Sequence, residues 1–358
     1  MTDQITLDAI SAEAFRTIFK RLKEQGKVVA PRGQKVIEVE HFTYELPAYV
    51  RFQSFESRKF KTDYVKNEVL WYLRGNRSDQ TILEHASMWQ SLVNEAHLPG
   101  TINSNYGQYI FGSISDPYGT TMYEDIDASN PAAAAMLRRP QHKSQFDAVI
   151  KTLSDDKDSR RASITILQPY HLVMATKDVP CTYSMNFRIR DNKLNMSVHM
   201  RSQDGIFGMG NDAPAFSVIQ EMIYVMLRDT KYPELEMGTY THTADSFHVY
   251  ERHFEMLDKI VAGDAYVPIA CPKIKSADEV RHLRGSIHLL YEDGKQSINY
   301  QTLAQANAAM VVATNLVTHQ AATSLTATPA EFEFSEWLLQ GAKAAEAKKA
   351  AAQQAIVQ

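Results

Sequence analysis

Cys181, in the segment Val179-Pro180-Cys181-Thr182-Tyr183, is the residue whose chemistry the rest of the chain has to explain. The thiolate is the nucleophilic form of cysteine, and a nearby guanidinium favours it. A lone cysteine is more often a small apolar core residue than a nucleophile, so its company decides. Arg201-Ser202-Gln203-Asp204 follows at the end of a strand-like run, Ser159-Arg160-Arg161 opens another, and Arg32 sits in a turn after Pro31. Arginine with serine makes a good phosphate site, because the planar guanidinium donates paired hydrogen bonds. Any one of these arginines alone reads as a solvated surface charge. Arg32, Arg160, Arg161 and Arg201 together, all at strand ends or turns, read as a cage for a phosphorylated substrate attacked by sulfur.

Interleaved helices and strands must position these residues. Residues 11–25 carry apolar side chains at helical spacing. Ala30-Pro31-Arg32-Gly33 is a turn, and residues 35–46 alternate like a strand. Residues 63–74 predict a buried helix stopped by Gly75. Residues 95–145, rich in Gly, Asn, Pro and Asp, predict mostly loop. Strands are expected over 159–167, 183–190 and 193–202, with a turn at Asp191-Asn192, and a long amphipathic helix over 214–229. The alanine-rich run 341–356 predicts an exposed or frayed helix with no part in the chemistry. No internal repeat is evident, and the class is mixed α/β.

Composition narrows the functions. The chain has 358 residues, 44% of them hydrophobic, enough for a substantial core. Its net charge of -4 gives no case for a nucleic-acid partner, so an anion must be held by a local arginine cluster. Two cysteines, Cys181 and Cys271, make neither a disulfide framework nor a zinc site, and no metal is expected. The first fifteen residues lack the pattern of a signal peptide, and no stretch approaches the roughly 18 apolar residues of a membrane span. The expectation is a cytoplasmic protein with no membrane contact.

In order along the chain stand Ala30-Pro31-Arg32-Gly33, then Asn67-Glu68-Val69-Leu70-Trp71-Tyr72-Leu73-Arg74-Gly75, then Asn105-Tyr106-Gly107-Gln108 and Asp158-Ser159-Arg160-Arg161. Pro180-Cys181, Arg201-Ser202-Gln203-Asp204, Gly210-Asn211-Asp212 and Phe247-His248-Val249-Tyr250 complete the series. Each piece is weak; the ordered set, over residues 12–275, resembles the thymidylate synthase family, which includes pyrimidine nucleotide hydroxymethylases. The resemblance implies a bent mixed sheet with flanking helices and a back-to-back sheet homodimer. It implies a nucleotide monophosphate substrate and 5,10-methylenetetrahydrofolate as one-carbon donor. By it, Cys181 adds to C6 of the pyrimidine ring and makes C5 a nucleophile, with Glu68, Asp204 and Arg201 as the other catalytic residues. Arg32, Arg201 and Ser202 hold the 5′-phosphate, and Arg160 and Arg161 reach the other subunit's phosphate. His248 and Tyr250 bind the sugar hydroxyl, and Glu68 moves protons near N3 and the C4 substituent. Arg58, Lys59, Trp89 and Asp204 fall where the family lines its folate site, and Tyr106 lines the cleft; Trp89 and Tyr106 read equally as core aromatics. Residues 1–275 are expected as the catalytic domain, 276–340 as an extension of unknown role and 341–358 as an alanine-rich tail.

The base is addressed by one position. Uracil-specific members of the family carry an asparagine in the loop after the phosphate strand, and counting from Arg201 without a gap puts Asp212 there; a slip of one residue would put Asn211. An amide offers one donor and one acceptor and matches uracil at N3 and O4. A carboxylate accepts only, and matches cytosine protonated at N3, which shows two adjacent donors. The expected substrate is therefore dCMP, with CMP a further possibility, since His248 and Tyr250 address a hydroxyl common to both sugars. Thr182 stands where uracil synthases usually carry histidine. After one-carbon transfer, hydride from folate would give a methyl group and water a hydroxymethyl group. The ending lacks the Pro-Val-Ala type that closes the family's folate site, which favours water and a 5-hydroxymethyl product over a methyl one. A silent nucleotide-binding relative would usually have lost Cys181 or Glu68, and both are present.

Overall fold

Turn chemistry and the alternation of side chains lay out one mixed sheet. The computed structural model describes residues 2–76, 82, 89–93, 101–112, 144–173, 176–289 and 332–341. Helix α1 (Thr2–Gln25) begins earlier than the periodicity marks and leads into β1 (Lys27–Val29) and β2 (Val36–Leu46). Helix α2 (Thr62–Leu73) ends as expected at Gly75, whose φ of 63° is the left-handed stop that glycine takes without strain. Helix α3 (Gln145–Asp155), capped by Ser144, precedes β3 (Ser163–Thr165), β4 (Thr182–Arg190), β5 (Lys193–Met200) and the two-residue β6 (Gln203–Asp204). Then come α4 (Gly208–Thr230), β7 (Glu236–Tyr250), α5 (Phe254–Ala262) and α6 (Ala277–Leu289), and a last helix spans 333–341.

The strand order is β1-β2-β7-β5-β4-β3. β7 runs antiparallel to β2 and parallel to β5 and β6. β4 and β5 form a hairpin whose turn residues, Asp191 and Asn192, both have positive φ, the backbone such two-residue turns require. Helix α1 packs on β2, and α4 crosses β5, β6 and β7 while touching α2, α3 and α6. Phe187, Phe216 and Phe247 are fully buried between these layers. The opposite sheet face alternates into polar side chains: Ser184, Asn186 and Arg188 on β4, Asn195 and Ser197 on β5, Thr241 and Thr243 on β7.

Two expected elements change length. The strand over 159–167 shrinks to β3, because an edge strand pairs on one side only and Asp158–Arg161 turn away before it. The helix over 214–229 starts at Gly208, so Pro214 lies inside it. Asn211 and Asp212 therefore sit on a helix rather than in a loop, about 100° apart around its axis. The helix 333–341 returns to α2: Phe334 and Leu338 are buried, Trp337 meets Phe52, and Glu279 of α6 accepts from the Ser335 backbone N–H at 3.0 Å. The tail beyond Gly341 and most of the expected 95–145 loop lie outside the described residues. No described helix is long and apolar enough to cross a membrane, and the described residues hold no cluster of three or more metal-ligating side chains.

Candidate active site

The β4–β5 hairpin brings together residues twenty positions apart. Thr182 pairs with Met200, so Cys181 and Arg201 face each other at the open end, where the Arg201 backbone N–H donates to the Cys181 carbonyl at 2.9 Å. The Arg201 side chain folds back: Nη2 donates to the Val179 carbonyl at 2.8 Å and Nε to the Pro180 carbonyl at 3.2 Å. Arg201 and Ser202 fall in the gap between the β5 and β6 ladders on β7, which frees their side chains from the sheet's core face. The Cys181 thiol is pushed up from its ordinary value: burial is the largest cause, Arg201 opposes it, Asp212 and Asp178 add to it, and Arg32 opposes it again. The expected tilt toward thiolate is therefore outweighed by burial in the free chain. Arg32 is exposed, with φ 52° in the turn before β2.

Two carboxyls, Glu68 and Asp212, act on each other, and Asp212 also on the cysteine. Glu68, 4% exposed in the middle of α2, accepts from the Tyr72 hydroxyl at 2.9 Å on Oε1, while its Oε2 is buried without a partner. Burial, helped by the charge of Asp212, pushes Glu68 up to about 8 against the Tyr72 hydrogen bond. Asp212 is pushed up to about 7 by burial, lowered by a 3.1 Å hydrogen bond from Gln203 Nε2 and raised by Asp204. Asp212's charge acts on Cys181 and Glu68, whereas Asn211 is turned toward Arg58, whose Nη2 donates to it at 3.3 Å. The helix thus separates the two candidate readers: Asn211 is held on Arg58 and Asp212 on Gln203, and of the two only Asp212 has a charge that raises the cysteine.

Aromatic residues pack around these groups. Tyr106 is buried, stacks on Tyr72 with centroids 5.7 Å apart, and accepts the Cys181 backbone N–H at 3.3 Å. Trp89 is half-buried, donates from Nε1 to the Tyr64 hydroxyl at 3.2 Å and packs edge-on against Trp71. Parallel pairing of β6 with β7 sets Asp204 beside His248, whose ring meets Tyr250 at 90°. Asp204 accepts from the Ile206 and Phe207 backbone N–H groups, capping the turn into α4. Arg58 is buried with its guanidinium 4.4 Å over the Phe207 ring, and Lys59 is exposed beside it. Arg160 and Arg161 are not brought to the cysteine. Both are exposed and precede β3, with Arg160 close enough to act on Arg188, which is seven residues up β4 from Cys181, about 23 Å at strand rise.

Three residues escaped the sequence reading. Gln203 was legible only as part of a motif, and its contact to Asp212 needs the turn into α4. Asp178 accepts from the Asn103 and Ser104 backbone N–H groups and the Ser104 hydroxyl, tying the Tyr106 loop to the Cys181 loop across seventy-odd residues. Phe207, 40% exposed, carries no local signal beyond its type.

A thymidylate synthase family model matches residues 13–312. Deoxycytidylate 5-hydroxymethyltransferase of Enterobacteria phage T4 is 27% identical over 258 residues, 70% of this chain and 91% of that protein. Deoxyuridylate hydroxymethyltransferase of Bacillus phage SP01 is 27% identical over 246 residues, 66% of this chain and 56% of that protein. Thymidylate synthase of Mycoplasma genitalium is 21% identical over 209 residues, 58% of this chain and 69% of that protein.

Proposed function

This chain belongs to the thymidylate synthase family and carries out one-carbon transfer to a pyrimidine nucleotide, and from that premise we propose that its substrate is dCMP and its product 5-hydroxymethyl-dCMP. The observation that carries the base assignment is Asp212, on the first turns of α4, acting on Cys181 and Glu68 while Asn211 is turned away to Arg58. A carboxyl opposite cytosine needs one proton between itself and N3, and a group held at about 7 carries or shares that proton near neutrality. The two hydroxymethyltransferases above differ in base and agree in product, which supports hydroxymethylation.

In this reading Cys181 Sγ bonds to C6, and Tyr106, bonded to the Cys181 backbone, holds the nucleophile's loop in place. Arg201, its orientation set by two carbonyls, joins Arg32 and Ser202 on the 5′-phosphate. His248 and Tyr250 take the sugar hydroxyl. Glu68, protonated at neutral pH, moves a proton at the C4 side of the ring through Oε2, the atom without a protein partner. The family's donor, 5,10-methylenetetrahydrofolate, supplies the one-carbon unit. The Phe207 ring under the Arg58 guanidinium, with Asp204 accepting from the Phe207 N–H and Lys59 next to Arg58 in the chain, offers a flat face and a cation suited to a planar ring with an acidic tail. Two copies would pair through the polar sheet face, each lending Arg160 and Arg161 to the other's phosphate.

The test is turnover of dCMP, CMP and dUMP side by side with the folate donor, with products identified by mass. Preference for dCMP and a product heavier by CH2O are expected. A product heavier by CH2 alone, with dihydrofolate formed, would replace hydroxymethylation by methylation, and an Asp212→Asn variant that kept the wild-type base preference would remove the base assignment.

A further inference from the structure

A single carboxyl that must tell cytosine from uracil has a symmetry problem. Protonated, it presents one donor and one acceptor. If the proton moves freely between the two oxygens, the group can donate to N3 and accept from the C4 amine of cytosine, or accept from N3–H and donate to O4 of uracil. Burial leaves Asp212 protonated for part of the time near neutrality, so its type alone does not select a base.

The surrounding structure makes the two oxygens unequal. Gln203 Nε2 donates to Asp212 Oδ2 at 3.1 Å. The other end of the same amide is taken, because Gln203 Oε1 accepts from the Tyr44 hydroxyl at 3.1 Å. An amide whose oxygen is held by a hydroxyl must turn its NH2 to the opposite side. Both residues are buried, and the Tyr44 ring is stacked at 3° on His242 with centroids 5.1 Å apart, which fixes the hydroxyl that orients the amide. A carbonyl oxygen accepts better than the oxygen of a carboxylic O–H, so an N–H held on Oδ2 sends the proton to Oδ1. β2, which carries Tyr44, and β6, which carries Gln203, thus converge on one oxygen of a helix residue.

We propose that Gln203, locked by Tyr44, is the positioning residue that makes Asp212 directional, so that the carboxyl donates only from Oδ1 and accepts only at Oδ2. The proposal rests on the reading of Asp212 as the group facing the base. With Oδ1 toward ring position 3 and Oδ2 toward position 4, cytosine is matched at both atoms. Uracil then meets donor against donor and acceptor against acceptor.

The experiment is kcat/KM for dCMP and for dUMP in the wild type, Gln203→Met and Tyr44→Phe, using the full chain. Methionine keeps the length of glutamine and loses both polar ends; phenylalanine removes one hydroxyl and leaves the amide free to turn. The dCMP-to-dUMP ratio should fall by about tenfold or more in Gln203→Met and by less in Tyr44→Phe. A merely structural role would lower both substrates together and leave the ratio alone. If Gln203→Met does not fold, Tyr44→Phe decides. A wild type that prefers dCMP, with the ratio unchanged in the variants, overturns the directional lock alone. A wild type without that preference overturns the base assignment and the lock with it.

Discussion

Glu68 sits in the middle of α2 with one oxygen bonded to Tyr72 and the other buried without a partner. Burial raises it from the ordinary 4.5 to about 8, so it is a group the fold holds at a cost. A carboxyl whose folded value lies above its unfolded value favours the folded chain while both states are protonated. That contribution is complete below about 4.5 and is lost as pH rises to about 8, because the unfolded chain ionises first. At 1.36 kcal/mol per pH unit the displacement is worth ~5 kcal/mol, fully expressed only if no water enters the site. Glu68→Gln keeps the size and the acceptor for Tyr72 and removes the titration. Its amide adds a buried NH2 in place of Oε2, a loss of about 1–3 kcal/mol that does not vary with pH. Urea unfolding from pH 4 to pH 9 reads the difference. The wild type should lose stability across that range; the variant should lose it only up to about pH 7, where Asp212 finishes titrating. The gap should move in the variant's favour by several kcal/mol between pH 4 and pH 9, while turnover disappears. Parallel stability curves would refute the claim that Glu68 is held protonated by burial.

Three further outcomes follow from the same contacts. Cys181→Ala should reduce tritium release from C5-labelled dCMP to background while nucleotide still binds; persistent release would rule out covalent addition at C6. Glu221→Ala strands Arg51, which is 3% exposed and bonded to it at 2.7 Å, and leaves the Ile274 N–H without its acceptor. It should cost ~3–5 kcal/mol in urea unfolding, and a loss below about 1 kcal/mol would mean Arg51 finds another partner. Gly107→Ala places a Cβ 2.2 Å from the Tyr72 carbonyl oxygen. Because backbone must then move, a loss of at least ~2 kcal/mol is expected together with reduced turnover, since Tyr72 holds Glu68; a melting temperature equal to wild type would contradict the contact.

How much of this was legible beforehand depends on the distance over which each feature is determined. The hairpin that joins Cys181 to Arg201 could be read, because alternation and the Asp191-Asn192 turn are local and equal arm lengths then place the two residues opposite each other. The helix stop at Gly75 was local in the same way. The long β7 gave no local warning, because a strand paired on both sides mixes Thr, His and Ala with its apolar residues. Pro214 looks like a helix boundary in the sequence, but α4 continues back to Gly208, so the separation of Asn211 from Asp212 is not legible from the pattern. The network from Tyr44 through Gln203 to Asp212 joins β2, β6 and α4, so no window of sequence contains it.

The proposed phosphate site gives a reason to expect two chains in one functional unit. Within a chain Arg201 spends Nη2 and Nε on backbone carbonyls, so on the proposed reading only Arg32 and the remaining edge of Arg201 would meet a phosphate dianion. Arg160 and Arg161 precede β3, near the end of β4 that lies about 23 Å from Cys181, and cannot be recruited by any side-chain rotation. Apart from Arg188, the sheet face nearest them carries hydroxyl and amide side chains such as Ser184, Asn186, Ser197 and Thr241. Such groups can be desolvated in pairs across a two-fold axis at far smaller cost than charges. A two-fold dimer through that face would bring the distant arginines to the partner's site. Specific activity should then fall on dilution in step with the loss of dimer measured by analytical ultracentrifugation, and Arg160→Ala should raise KM for the nucleotide more than it lowers kcat. A monomer with full activity per chain would leave the two arginines without a role in phosphate binding.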